Sequence, residues 1–104
     1  MKKVDKLKVK YYIESTLRNN GFNCKIKFKR GICKGNRLGV MNYEPISNTL
    51  EVYLGSIEKL KPEEDISAEE KLVFFTAYEM GNIEYLSDMS RYNKYINLID
   101  NYQD

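Results

Sequence analysis

The chain has 104 residues, 42% of them hydrophobic and 31% charged, with a formal net charge of +2. That is enough apolar material for one domain with one modest core, residues 1–104, and it excludes disorder as the default state. No apolar run approaches the roughly 20 residues of a bilayer span, and the basic start "MKKVDKLKVKYY" lacks the apolar stretch of a secretory signal, so a cytoplasmic protein without membrane contact is expected.

The first predicted element is a helix over residues 3–20. Val9, Tyr12, Ile13, Thr16 and Leu17 follow the spacing of one buried stripe, and Asn19-Asn20-Gly21 supplies a left-handed stop. "FNCKIKFK" then alternates: Phe22, Cys24, Ile26 and Phe28 on one face, Asn23, Lys25, Lys27 and Lys29 on the other. That pattern predicts a half-buried strand. After the glycine-bearing connection "RGICKGNR", "LGVMNY" is a second strand, and "EPISN" is a turn punctuated by Pro45 and Asn48. "TLEVYL" is a third strand with Leu50, Val52 and Leu54 inward, and "GSIEKLKPEED" is a polar link. Ser67 and Glu70 have capping-box spacing ahead of a helix that places Leu72, Phe75, Thr76, Glu79, Ile83 and Leu86 on one face. A last helix over residues 90–102 aligns Tyr92, Tyr95, Ile96, Ile99 and Tyr102. The order α-β-β-β-α-α predicts an α+β domain, with a small three-stranded antiparallel sheet packed against helices.

Charge is distributed unevenly along this order. Residues 1–37 hold twelve Lys or Arg and two acids, a balance of +10, whereas residues 38–104 hold five bases and thirteen acids, a balance of −8. Such polarity suits a polyanion at one end, or two halves that lie side by side and neutralise each other. The two cysteines are expected as thiols in a reducing cytosol. With no histidine in the chain, they fall short of a four-ligand zinc site, and no metal or other cofactor is expected. Cys24 occupies an inward strand position, where a thiol is inert core. Cys33 lies among Arg30, Lys34 and Arg37, cations that would lower a thiol pKa.

One stretch carries more than fold. "LVFFTAYEMGNIEYL", residues 72–86, has the outline of a zinc-peptidase helix, in which two histidines four residues apart flank a glutamate. Tyr78 stands at the first histidine position, Glu79 at the glutamate, Gly81 at a glycine common in the motif and Asn82 at the second histidine. Upstream, "LGVMNYEPISNTLEVYL" resembles the strand–turn–strand that precedes this helix in the ImmA/IrrE group of bacterial and phage metallopeptidases. The resemblance spans residues 38–86 and implies a minimal zincin-like fold. It does not carry catalysis over. A phenol and an amide cannot replace two imidazoles, and of the acids available for a third ligand, neither Asp88 nor Asp100 is singled out. Without metal, Glu79 has no bound water of lowered pKa to activate.

What the resemblance implies is a non-catalytic pseudo-peptidase, not an enzyme: a small phage or mobile-element regulator or inhibitor that binds a host protein. Its contact residues would be Tyr78, Glu79 and Asn82 in the former active-site groove. The plainer expectation for Glu79 is a buried acid hydrogen-bonded to Tyr78 or Tyr85. Gly81 inside a helix predicts close packing by another segment. The alternative function is nucleic-acid binding through Lys25, Lys27, Lys29, Arg30, Lys34 and Arg37, with Tyr11 or Tyr43 for stacking. Against it, lysines on an edge strand also serve simply to prevent strand-to-strand aggregation.

Overall fold

The computed structural model describes residues 6–33 and 39–102, which form three helices and a three-stranded sheet. Helix α1 (Lys6–Asn19) buries Val9, Ile13 and Leu17 at the predicted spacing. Its end is a Schellman motif. Phe22 N–H bonds to Leu17 C=O at 2.9 Å, Gly21 N–H bonds to Arg18 C=O at 3.1 Å, and Gly21 takes the left-handed φ of 83° that the closure requires. Phe22 then packs back on the core.

Strand β1 (Lys25–Lys29), strand β2 (Met41–Glu44) and strand β3 (Thr49–Tyr53) follow. The turn at 45–48 closes with Asn48 at φ 51°, and the Tyr43 hydroxyl donates to Asn48 Oδ1 at 2.6 Å. Glu44 accepts from the backbone N–H of Ser47 at 2.6 Å and of Ile46 at 3.1 Å, which pins the same turn. So short a link forces β2 and β3 antiparallel, with Tyr43 opposite Leu50.

The sheet is not antiparallel throughout. Its order is β1-β3-β2, and β1 runs parallel to β3 with Ile26 opposite Leu50 and Phe28 opposite Val52. The long connection from β1 to β2 imposes no direction, so the hairpin is free to insert β3 between its neighbours. Alternation therefore predicts which face each residue takes and leaves pairing sense undetermined.

One sheet face, with Met41, Tyr43, Leu50 and Val52 buried, shares a single core with Val9, Ile13 and Leu17 of α1. Each fully buried aliphatic side chain of this set stabilises the fold by about 1.5–3 kcal/mol relative to exposure. The other face carries Lys25, Lys27, Asn42 and Glu51.

Two expected boundaries move. Leu54 leaves the third strand and opens helix α2 (Leu54–Glu58), which buries Leu54 and Ile57 within the segment expected to be a polar link. Five residues are too few to show helical periodicity. Gly55 is required there: a Cβ would lie 2.7 Å from the carbonyl oxygen of Gly31. The second change is larger. Helix α3 (Ala68–Tyr102) runs 35 residues without the interruption expected near residue 90. "SDMS" contains weak helix formers but neither proline nor glycine, and costs of a few tenths of a kcal/mol each do not end a helix. The side chains of Tyr92, Tyr95, Ile96, Ile99 and Tyr102 lie outside the described residues. Ser67 caps α3 by accepting the Glu70 N–H at 3.1 Å, and α3 packs against the edge strand β2, with Met80 half-buried on the core. No helix among the described residues is long and apolar enough to cross a membrane.

Candidate functional site

The expected face of α3 is the one that packs inward. Leu72, Thr76 and Ile83 are buried, and Phe75, Glu79 and Leu86 are half-buried. Glu79 thus brings a carboxylate to the border between helix and sheet, and strand geometry supplies its partner. Tyr53 N–H bonds to the Val40 carbonyl at 2.8 Å. By alternation the backbone groups of Asn42 and Glu44 also face β3, while those of Met41 and Tyr43 point to the open edge. Glu79 Oε1 accepts the edge N–H of Tyr43 at 3.2 Å, and the Asn82 amide supplies a second hydrogen bond to the same carboxylate. Burial pushes the Glu79 pKa up, and these two donors offset part of that rise.

The partner of Glu79 is therefore not a tyrosine hydroxyl. Tyr78 and Tyr85 are 62% and 64% exposed, and a backbone N–H takes the place expected for either phenol. Gly81 is also different from expectation, since a Cβ added there would meet nothing within 4 Å. Among the described residues no segment packs against that position.

Tyr78 forms one wall of an apolar groove of about 230 Å³ between α3 and the β2 edge, lined also by Gly39, Met41, Phe74, Phe75 and Glu79. Phe74 is 68% exposed and meets Phe75 edge to face, with ring centroids 6.2 Å apart. Tyr78, Glu79 and Asn82 are brought together on one turn, as the spacing requires, with Tyr78 on the rim and the other two joined below it. The sequence reading missed Phe74 and Met41. Phe74 falls outside the buried stripe yet is large and apolar, a signal present in "VFF"; the part played by Met41 depends on β2 being the edge strand, which no local pattern records. A second cavity of about 450 Å³ lies between the end of α1 and α3 and is lined by polar groups including Asn23, Glu84 and Asp88.

The basic cluster is only partly assembled. Lys25, Lys27 and Lys29 share the outer sheet face, and Arg30 is exposed beside them. Lys34 and Arg37 lie outside the described residues. Lys29 is bound to Glu51 at 2.6 Å and lies over the Tyr53 ring at 5.6 Å from its centroid. Hydrogen bonds from Lys29 and Tyr53 hold the Glu51 carboxyl below its usual range. Tyr43 is buried in the core and unavailable for stacking, and exposed Tyr11 sits on α1, in the opposite layer.

Both cysteines are free thiols. Burial pushes the Cys24 thiol up. It also pushes Cys33 up, joined there by the charges of Glu51 and Glu79, so the lowering expected from nearby cations does not occur in the described surroundings. Among the described residues, no three His, Cys, Asp or Glu side chains gather into a metal-binding group. No family model, curated protein or solved structure matches this chain.

Proposed function

We propose that the chain is a non-catalytic protein-binding module, a degenerate ImmA/IrrE-type scaffold that has lost its metal ligands and uses the groove beside α3 for recognition. In this reading it serves as a small phage or mobile-element regulator or inhibitor of a host protein in the cytoplasm. The observation that carries the reading is the exposure of Phe74 and Tyr78 at a groove that Glu79, hydrogen-bonded to Asn82, also lines. Large aromatic side chains around a hydrogen-bonding centre are the usual anchors of a protein interface. A Glu79 carboxylate tied to the backbone of β2 positions the groove and is not poised to move a proton.

Affinity capture from the native host tests this. The expected result is one partner retained by the wild-type chain and lost with Phe74→Ala or Tyr78→Ala; unchanged capture by both variants places the contact elsewhere. Nucleic-acid binding through Lys25, Lys27, Lys29 and Arg30 is the weaker reading, because Glu51 neutralises Lys29 within the cluster itself.

A further inference from the structure

Leu86 is the last described residue of α3 packed against the core. The helix nonetheless continues through residues 87–102, about 24 Å further at 1.5 Å per residue. The molecule accordingly measures 60 Å along its long axis and only 28 and 26 Å across. A helix of that length without tertiary packing is marginal in water. At the start of this extension Met89 is 40% exposed, and a second surface packed along it would supply the stability that helix propensity alone does not.

The spacing along this extension identifies that surface. Asn82, Tyr85 and Met89 are separated by three and four residues, and in the sequence Tyr92, Ile96 and Ile99 continue the same alternation. A strict three-four repeat has a mean period of 3.5, the seam of a two-helix supercoil, whereas a helix lying on a globular core presents a wider stripe. Helix α3 carries both patterns. Leu72, Thr76 and Ile83 face the body, and the three-four seam overlaps the last turn packed on it, which ends among the described residues at Leu86. At its described end Tyr85 is 64% and Met89 40% exposed.

We propose that the distal half of α3 is a dimerisation element that forms a parallel, in-register two-stranded coiled coil with a second copy of this chain. The seam is self-complementary, which a two-fold pair requires. Charge then selects the orientation. In a parallel pair, position 88 lies across from position 93 of the other copy, and 95 across from 100. Those positions hold Asp with Asn and Tyr with Asp, hydrogen-bonding combinations with no like charges. An antiparallel pair that sets position 82 against 99 brings Glu79 opposite Asp100 of the other copy, and sliding it by one heptad brings Asp88 opposite itself. Five apolar seam positions per chain, with aromatics able to bury 150–250 Å² when fully covered and about half that at a seam, sum to roughly 1,000 Å². That is the lower bound of a specific interface and implies a concentration-dependent dimer. The apolar part of the seam, from Tyr85 onward, lies outside the lining of the Phe74–Tyr78 groove, so substitutions at Met89 and Ile96 test it apart from that groove.

Sedimentation equilibrium on the full chain across the micromolar range tests the proposal. The weight-average mass should rise from 12.3 kDa toward twice that value. M89E/I96E should stay monomeric and keep the near-ultraviolet spectrum of the dilute wild-type monomer. In a C33S/I96C chain, mild oxidation should give a disulfide-linked dimer, since only a parallel pairing sets position 96 against itself. A wild-type chain that stays monomeric throughout overturns the proposal, as does association of M89E/I96E equal to wild type. Absence of the 96–96 crosslink in a dimer overturns the parallel arrangement.

Discussion

The carboxylate of Glu79 on α3 accepts the backbone N–H of Tyr43 on β2 at 3.2 Å. Two elements far apart in sequence are thereby fixed to each other by a side chain that, in the peptidase motif, would face a metal. The bond also satisfies a donor on the sheet's open edge, so no added strand can pair with β2 at that position.

Removing the acceptor should be costly, and removing only its charge should not. Glu79→Ala leaves a half-buried N–H unpaired and is expected to lose about 1–3 kcal/mol. Glu79→Gln keeps an acceptor for Tyr43. The sign of its pH dependence follows from the raised pKa. Between the unfolded and folded pKa values the native state binds more protons, so stability falls as pH rises through that interval, and the whole penalty applies above it. E79Q lacks the penalty. Urea denaturation should show it roughly level with wild type near pH 4 and gaining on it toward neutrality; a constant difference at every pH contradicts the burial of the charge.

Two glycines should respond oppositely to the same substitution. Gly81→Ala adds a Cβ into open space on a helix and should stabilise by roughly 0.5–1 kcal/mol. Gly55→Ala sets a Cβ 2.7 Å from a backbone oxygen of Gly31 and should destabilise by about 1–3 kcal/mol. Thermal melts separate the pair; a loss of stability in G81A would restore the close packing that the peptidase comparison leads one to expect there.

The Tyr53 phenol donates to Glu51 at 2.7 Å, and that bond, with burial, pushes its pKa up to about 12. Because the folded value exceeds the unfolded one, the stability it contributes is complete below about pH 10 and lost as pH climbs toward 12. Ultraviolet titration should show the Tyr53 phenol ionising late in the wild type. That late step should move down in E51A.

The lysine face should bind polyanions feebly. With Lys29 held by Glu51, a gel shift should show only weak association that vanishes at moderate salt. Tight binding abolished by K25E/K27E/K29E would favour a nucleic-acid function instead.

How much of this was legible beforehand depends on the range of each interaction. The stripe Val9-Ile13-Leu17, the stop at Gly21, the inward pair Leu50-Val52 and the cap at Ser67 are local, and each follows from spacing or from one residue's backbone preference. Glu79 was likewise placed correctly on the buried face. Its partner was not, because Tyr43 N–H becomes available only once β2 is the edge of a mixed sheet, and pairing sense is a long-range property. The break expected near residue 90 is absent for the opposite reason: Ser87, Asp88 and Ser90 are weak helix formers, and their small costs do not interrupt a continuous backbone ladder. The extent of the groove needed both pieces, an edge strand and an exposed Phe74 next to it.

In the proposed function the surface around Tyr78 recognises a protein. A photo-crosslinking amino acid at position 78, expressed in the native host, is the test, with the still more exposed position 7 on α1 as control. One covalent adduct of discrete mass from position 78 and none from position 7 is the predicted result. No adduct from position 78, or the same adduct from both positions, contradicts it.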